Sequence, residues 1–149
     1  MTESEFKRLL RSFPGLVPGK YRVTSPVDYR YNCIAWAAGV SDKWWQPDGS
    51  NFWPIDTIGD YSVSNYIRAY ESLGYAVCED FELSVGVEKV AIFEKTTPVP
   101  HASHAARQLH SGWWASKLGQ SIDIEHELRA VEGSVYGRAV VALQRQLMA

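Results

Sequence analysis

The stretch from residue 14 to residue 31, PGLVPGKYRVTSPVDYRY, holds three prolines and two glycines, and it constrains the fold more than any other feature. Proline fixes φ and removes a backbone donor, and glycine punctuates regular structure, so no long helix or strand can run through this stretch. The chain must reach Asn32 and Cys33 by an extended, turn-rich lead. A second broken stretch, SDKWWQPDGSNFWP, follows soon after, with Trp44, Trp45 and Trp53 set among Pro, Gly, Asp and Asn. Aromatic rings in such a loop need a surface to stack on.

Regular elements are expected only around these breaks. Thr2 and Glu5 stand at capping-box spacing, and Phe6, Leu9, Leu10 and Phe13 recur at helical intervals, which predicts a first amphipathic helix ending near Pro14-Gly15. Asn32 is a good N-cap, Cys33 to Ala38 tolerate helix, and Gly39 fits a stop, giving a short apolar helix that opens on Cys33. Ser62 or Ser64 caps a helix through Tyr66, Ile67, Tyr70 and Leu73, after which Gly74 leads into an extended YAVC. KVAIFE, residues 89 to 94, reads as a strand. SHAARQLHSGWWASKLG reads as a β-hairpin, with His104–Leu109 and Trp113–Ser116 flanking a turn at His110-Ser111-Gly112. DIEHELRAVEG and SVYGRAVVALQRQL are expected to be helical, the second with Val135, Val140, Val141, Leu143 and Leu147 on its apolar side.

These pieces predict one α+β domain over residues 1–149. In it, the short Cys33 helix packs on a small antiparallel sheet, with further helices at both ends. A chain of 149 residues, 46% hydrophobic, holds one real core and is too short for two ordinary domains. With 15 basic against 17 acidic residues and no run of either sign, the charge favours neither a nucleic-acid groove nor a membrane surface. MTESEFKRLLRSF alternates polar and apolar residues, and no window is long enough to span a bilayer, so a cytoplasmic protein is expected. Cys33 and Cys78, with no export signal, are expected as free thiols.

The chemistry concentrates on Cys33. A thiol in the first turn of a helix is a potential nucleophile, provided that a histidine held elsewhere takes its proton. His104, at the start of the hairpin, is the expected base; His101 is the alternative, in a proline-flanked loop. Side chains alternate along a strand, so His104, Ala106 and Gln108 share one face. A three-residue hairpin loop pairs Ala106 with Ser116 and sets Ser116 on that face, whereas a two-residue loop sets Lys117 there. Ser116 and Asp123 are both candidates to orient the imidazole, Asp123 because a carboxylate stabilises an imidazolium better. Asn32 and the backbone N–H of Cys33 are the candidate oxyanion donors. Trp44, Trp45, Trp53 and Gln108 are the candidate substrate-binding residues.

YNCIAWAAG followed by HAARQLHSGWWASKLG resembles the nucleophile helix and histidine hairpin of papain-like cysteine hydrolases. That superfamily includes papain-type proteases, bacterial amidopeptidases and transglutaminases, and the resemblance extends to small bacterial proteins that share the YNCIAWAAG and HAARQ segments. It covers roughly residues 29 to 126. It implies a papain-like fold and a thioester route for amide hydrolysis or transamidation, with a protein or peptide substrate and no cofactor. The sequence departs where papain-type enzymes carry Asn or Asp on the last strand, having Ala115, Ser116 and Lys117 instead.

Other readings bear on the same residues. Free cysteine is a good core residue, and Cys78, at the end of an apolar strand, is expected to be structural. The histidines and cysteines lack paired metal-ligand spacing, so no metal site is expected. A catalytically silent interaction module, such as an inhibitor, immunity or adaptor protein, is the reading from another class, with a protein partner in place of a substrate.

Overall fold

In the computed structural model, residues 2–26, 28–118 and 121–147 are described. Helix α1 (Glu3–Ser12) is followed by β1 (Tyr21–Ser25), α2 (Cys33–Ala37), α3 (Val63–Glu71), β2 (Ala76–Cys78), β3 (Val87–Lys95) and β4 (His101–Gln108). Strands β5 (Trp114–Lys117) and β6 (Asp123–His126), a 3-10 turn (Leu128–Val131) and β7 (Arg138–Gln146) complete the order. All seven strands join one antiparallel sheet in the order β1-β6-β5-β4-β3-β7-β2.

This architecture corrects the expected papain-like arrangement of a nucleophile helix on a small sheet with flanking helices. The protein is mostly one wide sheet with a few short helices, and both expected C-terminal helices are absent. DIEH forms β6, LRAV makes only a 3-10 turn, and RAVVALQRQ forms β7. Ala, Leu, Gln and Arg in that last segment favour helix locally, but the preference is worth only tenths of a kcal/mol per residue. As a strand, β7 runs between β3 and β2 and pairs with both, which satisfies its backbone on two sides.

Both faces of the sheet are covered, so Val90, Ala91, Ile92 and Phe93 are all fully buried and the central strand reads as a continuous apolar run. One face, with Val90, Ile92, Ala105 and Leu143, packs against α2, α3 and the tryptophan-rich loop. The other, with Ala91, Phe93, Ala106, Trp114 and Ile124, packs against Phe13, Leu16 and Tyr136, with Phe6, Leu9 and Leu10 of α1 at its border. Thr2 and Glu5 close the capping box of α1.

Two irregularities fall at the same level of the sheet. The β3–β4 register shifts between Phe93 and Glu94, leaving Ser103 unpaired, and the β3–β7 register shifts between Ile92 and Phe93, leaving Val140 unpaired. Bulges of this kind bend a strand and re-aim its side chains. His104 is paired with Phe93 at that bend.

Candidate active site

The residues before α2 are fixed by side-chain bonds that replace the missing regular structure. Asn32 caps the helix by accepting from the Ala35 N–H at 3.2 Å, and the same oxygen accepts from the Trp45 N–H at 3.1 Å. Its amide nitrogen donates to the Trp45 carbonyl at 2.7 Å. Asn32 therefore clamps the tryptophan loop to the helix start, and its amide nitrogen, at the edge of the cleft beside Cys33, keeps a second N–H beyond the one given to Trp45. The Tyr70 hydroxyl donates to the Ile34 carbonyl at 2.8 Å from α3. One residue earlier, the Tyr31 hydroxyl donates to Asp123 Oδ2 at 2.7 Å.

Cys33 is held at 8% exposure. Burial raises its thiol pKa to about 11, only partly offset by the backbone of Ala105, Ile34 and Cys33 itself. At neutral pH it is a thiol, not a thiolate. Cys78 is also free.

The hairpin has the three-residue register. Leu109 N–H donates to the Trp113 carbonyl at 2.7 Å, Arg107 pairs with Ala115, and Gly112, with φ of 91°, supplies the left-handed residue that such a loop needs. Ser116 consequently faces His104, and its Oγ lies 2.9 Å from His104 Nε2. The same Oγ lies 2.6 Å from His126 Nε2, and His126 Nδ1 lies 2.7 Å from the Glu127 carbonyl. A carbonyl only accepts, so His126 carries its proton on Nδ1. Burial lowers the His126 pKa to about 4, which keeps the ring neutral and makes its Nε2 an acceptor. Ser116 must then donate to His126 and accept from His104 Nε2–H. The chain of bonds fixes the His104 tautomer and leaves Nδ1 as its basic nitrogen.

That Nδ1 is buried and has no hydrogen-bond partner. Desolvation, and secondarily the neighbouring His126, hold His104 well below the usual histidine range, so the ring is neutral. Tyr136 stacks on it with centroids 3.8 Å apart, and Phe93 meets it edge-on. His104 thus belongs to one core cluster and Cys33 to the other. They lie on opposite faces of β4: Ala105 packs on the Cys33 side, so alternation turns the His104 ring away from the thiol, and His104 does not line the cleft beside Cys33 whereas His101 does.

Asp123 is placed elsewhere. Its register partner is Lys117, and alternation sets both on the α2 face, away from His104. There it bonds Tyr31, with Lys117 Nζ 4.0 Å from Oδ1. It positions the residues leading to Cys33 and does not orient the imidazole.

A cleft of about 350 Å³ opens beside Cys33, lined among others by Trp45, Gln46, Tyr61, Lys95, His101 and Tyr136. Of the expected substrate-binding residues, only Trp45 lines it. Trp44 donates to Gln46 from behind, and Trp53 packs on Tyr66. Gln108 donates to the Phe81 carbonyl at the far end of β4. Sequence reasoning missed His126 and Tyr136 as parts of the site. DIEH was read as helix, where His126 has no fixed relation to Ser116, and Tyr136 lay in a segment also read as helix. Among the described residues, no group of three or more His, Cys, Asp and Glu is placed to hold a metal ion. No helix among them is long and apolar enough to cross a membrane.

The fold and site together define a mostly-β domain of one sheet, carrying a serine-bridged histidine pair on one face and a helix-start cysteine on the other. The chain belongs to the family described as "Domain of unknown function (DUF7689)", which matches residues 22–144. No curated protein and no solved structure matches it.

Proposed function

We propose that the protein is a cysteine hydrolase or acyltransferase acting on an amide bond of a protein or peptide through a thioester. The observation that carries the reading is a cleft shared by the Cys33 thiol, at the start of a capped helix, and His101, whose Nδ1–H is given to the Val99 carbonyl so that Nε2 is left to accept a proton.

The thiol proton passes to His101 Nε2 as sulfur attacks the carbonyl carbon, and the carbonyl oxygen takes the electron pair. His101 then protonates the leaving nitrogen, the C–N bond breaks, and a thioester remains on Cys33. Water or an amine, deprotonated by His101, attacks the thioester, and the proton returns to the departing sulfur. Because the resting thiol is neutral, proton transfer accompanies attack. When His101 becomes cationic, its Nδ1–H still donates to the Val99 carbonyl. The order of a cysteine followed by a histidine is the one that the papain-like resemblance implies, on a different arrangement of strands.

A silent interaction module is the second reading, and the complete burial of His104 favours it. Iodoacetamide labelling at neutral pH separates the two. The enzyme reading expects Cys33 to be modified faster than Cys78, that advantage to be lost in His101→Gln, and p-nitrophenyl acetate to leave an acyl adduct on Cys33 by intact mass. Slow labelling of both thiols, unchanged in a folded His101→Gln, would leave the binding module.

A further inference from the structure

We infer that the cleft beside Cys33 takes a substrate bearing a carboxylate close to the bond that is cleaved, with Lys95 as the residue that reads it. The inference rests on the nucleophile reading for its chemistry but on separate residues for its geometry. Lys95 and His101 are directly opposed in the β3–β4 register, so their side chains stand together on one face. Both line the cleft with Cys33. Among the described residues Lys95 has no ion-pair partner, whereas Lys7, Lys20, Lys89 and Lys117 each have a carboxylate within 4.0 Å. No Asp or Glu lines this cleft. The nearby carboxylates of Asp48 and Asp60 are taken up by their own turns, at Ser50, Asn51 and Ser62, with Arg68 beside Asp60.

Gln46 and Tyr61, on the same wall, present hydrogen-bond donors with fixed polarity. The Gln46 oxygen accepts from the Trp44 indole at 3.0 Å, which turns the amide nitrogen toward the Tyr61 hydroxyl at 3.3 Å. Tyr61 accepts that bond and keeps its own proton to give. His101 Nδ1 lies 2.7 Å from the Val99 carbonyl and donates to it, which holds the ring in place beside Lys95 and leaves Nε2 as an acceptor. An unpaired ammonium, a hydroxyl and an amide with protons to give, with no carboxylate between them, match an anionic oxygen group. They leave a cationic substrate without a partner. Trp45 lines the cleft near Cys33 and gives the reacting end an apolar wall.

Two alkylating agents of nearly equal size test this directly. The ratio of iodoacetate to iodoacetamide rates at Cys33, normalised to N-acetylcysteinamide, is expected to exceed one by about fivefold at low salt and to fall as salt is added. Lys95→Gln should bring the ratio down to about one, and Lys95→Arg should keep it raised. A normalised ratio of one or less in the wild type, or one unchanged in Lys95→Gln, would overturn the inference. A raised ratio that depends on Lys95, with Cys33 still alkylated no faster than Cys78 by iodoacetamide, would retain the anion site and discard the nucleophile. If Cys33 resists both reagents, glutarate titrated against the His101 ring resonances reads the same preference without thiol chemistry. A saturable shift that glutaramide does not produce and that Lys95→Gln abolishes supports the site, and no shift overturns it.

Discussion

Replacing Ser116 by alanine removes one oxygen and strands two buried rings. Ser116 is fully buried, and its Oγ accepts from His104 Nε2–H at 2.9 Å and donates to His126 Nε2 at 2.6 Å. Both histidines are also fully buried, so water does not replace the lost partner. Each stranded group costs about 1–3 kcal/mol, giving roughly 2–5 kcal/mol in all, a large share of the 5–15 kcal/mol that holds a domain together. Urea unfolding followed by tryptophan fluorescence should show the midpoint falling by about 1–3 M with an unchanged slope. A loss of stability within about 0.5 kcal/mol, the range of ordinary surface substitutions, would refute the bridged pair and the tautomer assignment with it.

Three further outcomes are expected. Acid should destabilise the fold: His126 titrates at about 4 when folded and at 6.5 in the reference state, so the unfolded chain binds more protons between those values and stability falls as pH drops through that window. His126 alone contributes about 3 kcal/mol of this loss, His104 adds in the same direction, and denaturant midpoints flat from pH 7 to pH 4 would contradict buried neutral rings. Tyr31→Phe leaves the buried Asp123 carboxylate with no hydrogen bond, since Oδ1 already lacks one; a cost of about 2–3 kcal/mol in chemical denaturation is expected, and a neutral result would show that Lys117 suffices. Gly137→Ala should fail to fold or lose more than about 3 kcal/mol, because a Cβ there would stand 1.9 Å from the Glu94 carbonyl oxygen at a φ of 71°. A wild-type melting temperature for that variant would mean that β3 and the β7 entry can separate.

Local signals in the sequence located the elements whose determinants are local. The Thr2–Glu5 box, the Asn32 and Ser62 caps and the turn at Gly112 each depend on a few adjacent residues, and each is found where expected. The hairpin was legible to within its register, and so was the facing of Ser116 toward His104 once three loop residues are counted. The last third of the chain was not. RAVVALQRQ and DIEH have helix-compatible composition, and only the hydrogen-bonding edges of β3, β2, β1 and β5 make strands of them.

The candidate site divides along the same line. Sequence alone marked Cys33, His104 and Ser116, because a cysteine at a cap and a histidine at a hairpin start have meaning within their own segments. The part played by Asp123 was open until β6 formed: as a strand in register with β5, it sends Asp123 to the α2 face and His126 to the opposite one, next to Ser116. Strand alternation has period two, so one register decides both assignments together. Register is a relation between segments far apart in the chain, and burial against two covered faces sets it. The amino-acid order thus determined which groups are present and how their own turns and caps fold, while tertiary pairing decided which of them meet, which nitrogen of His104 is basic, and which carboxylate only holds Tyr31 in place.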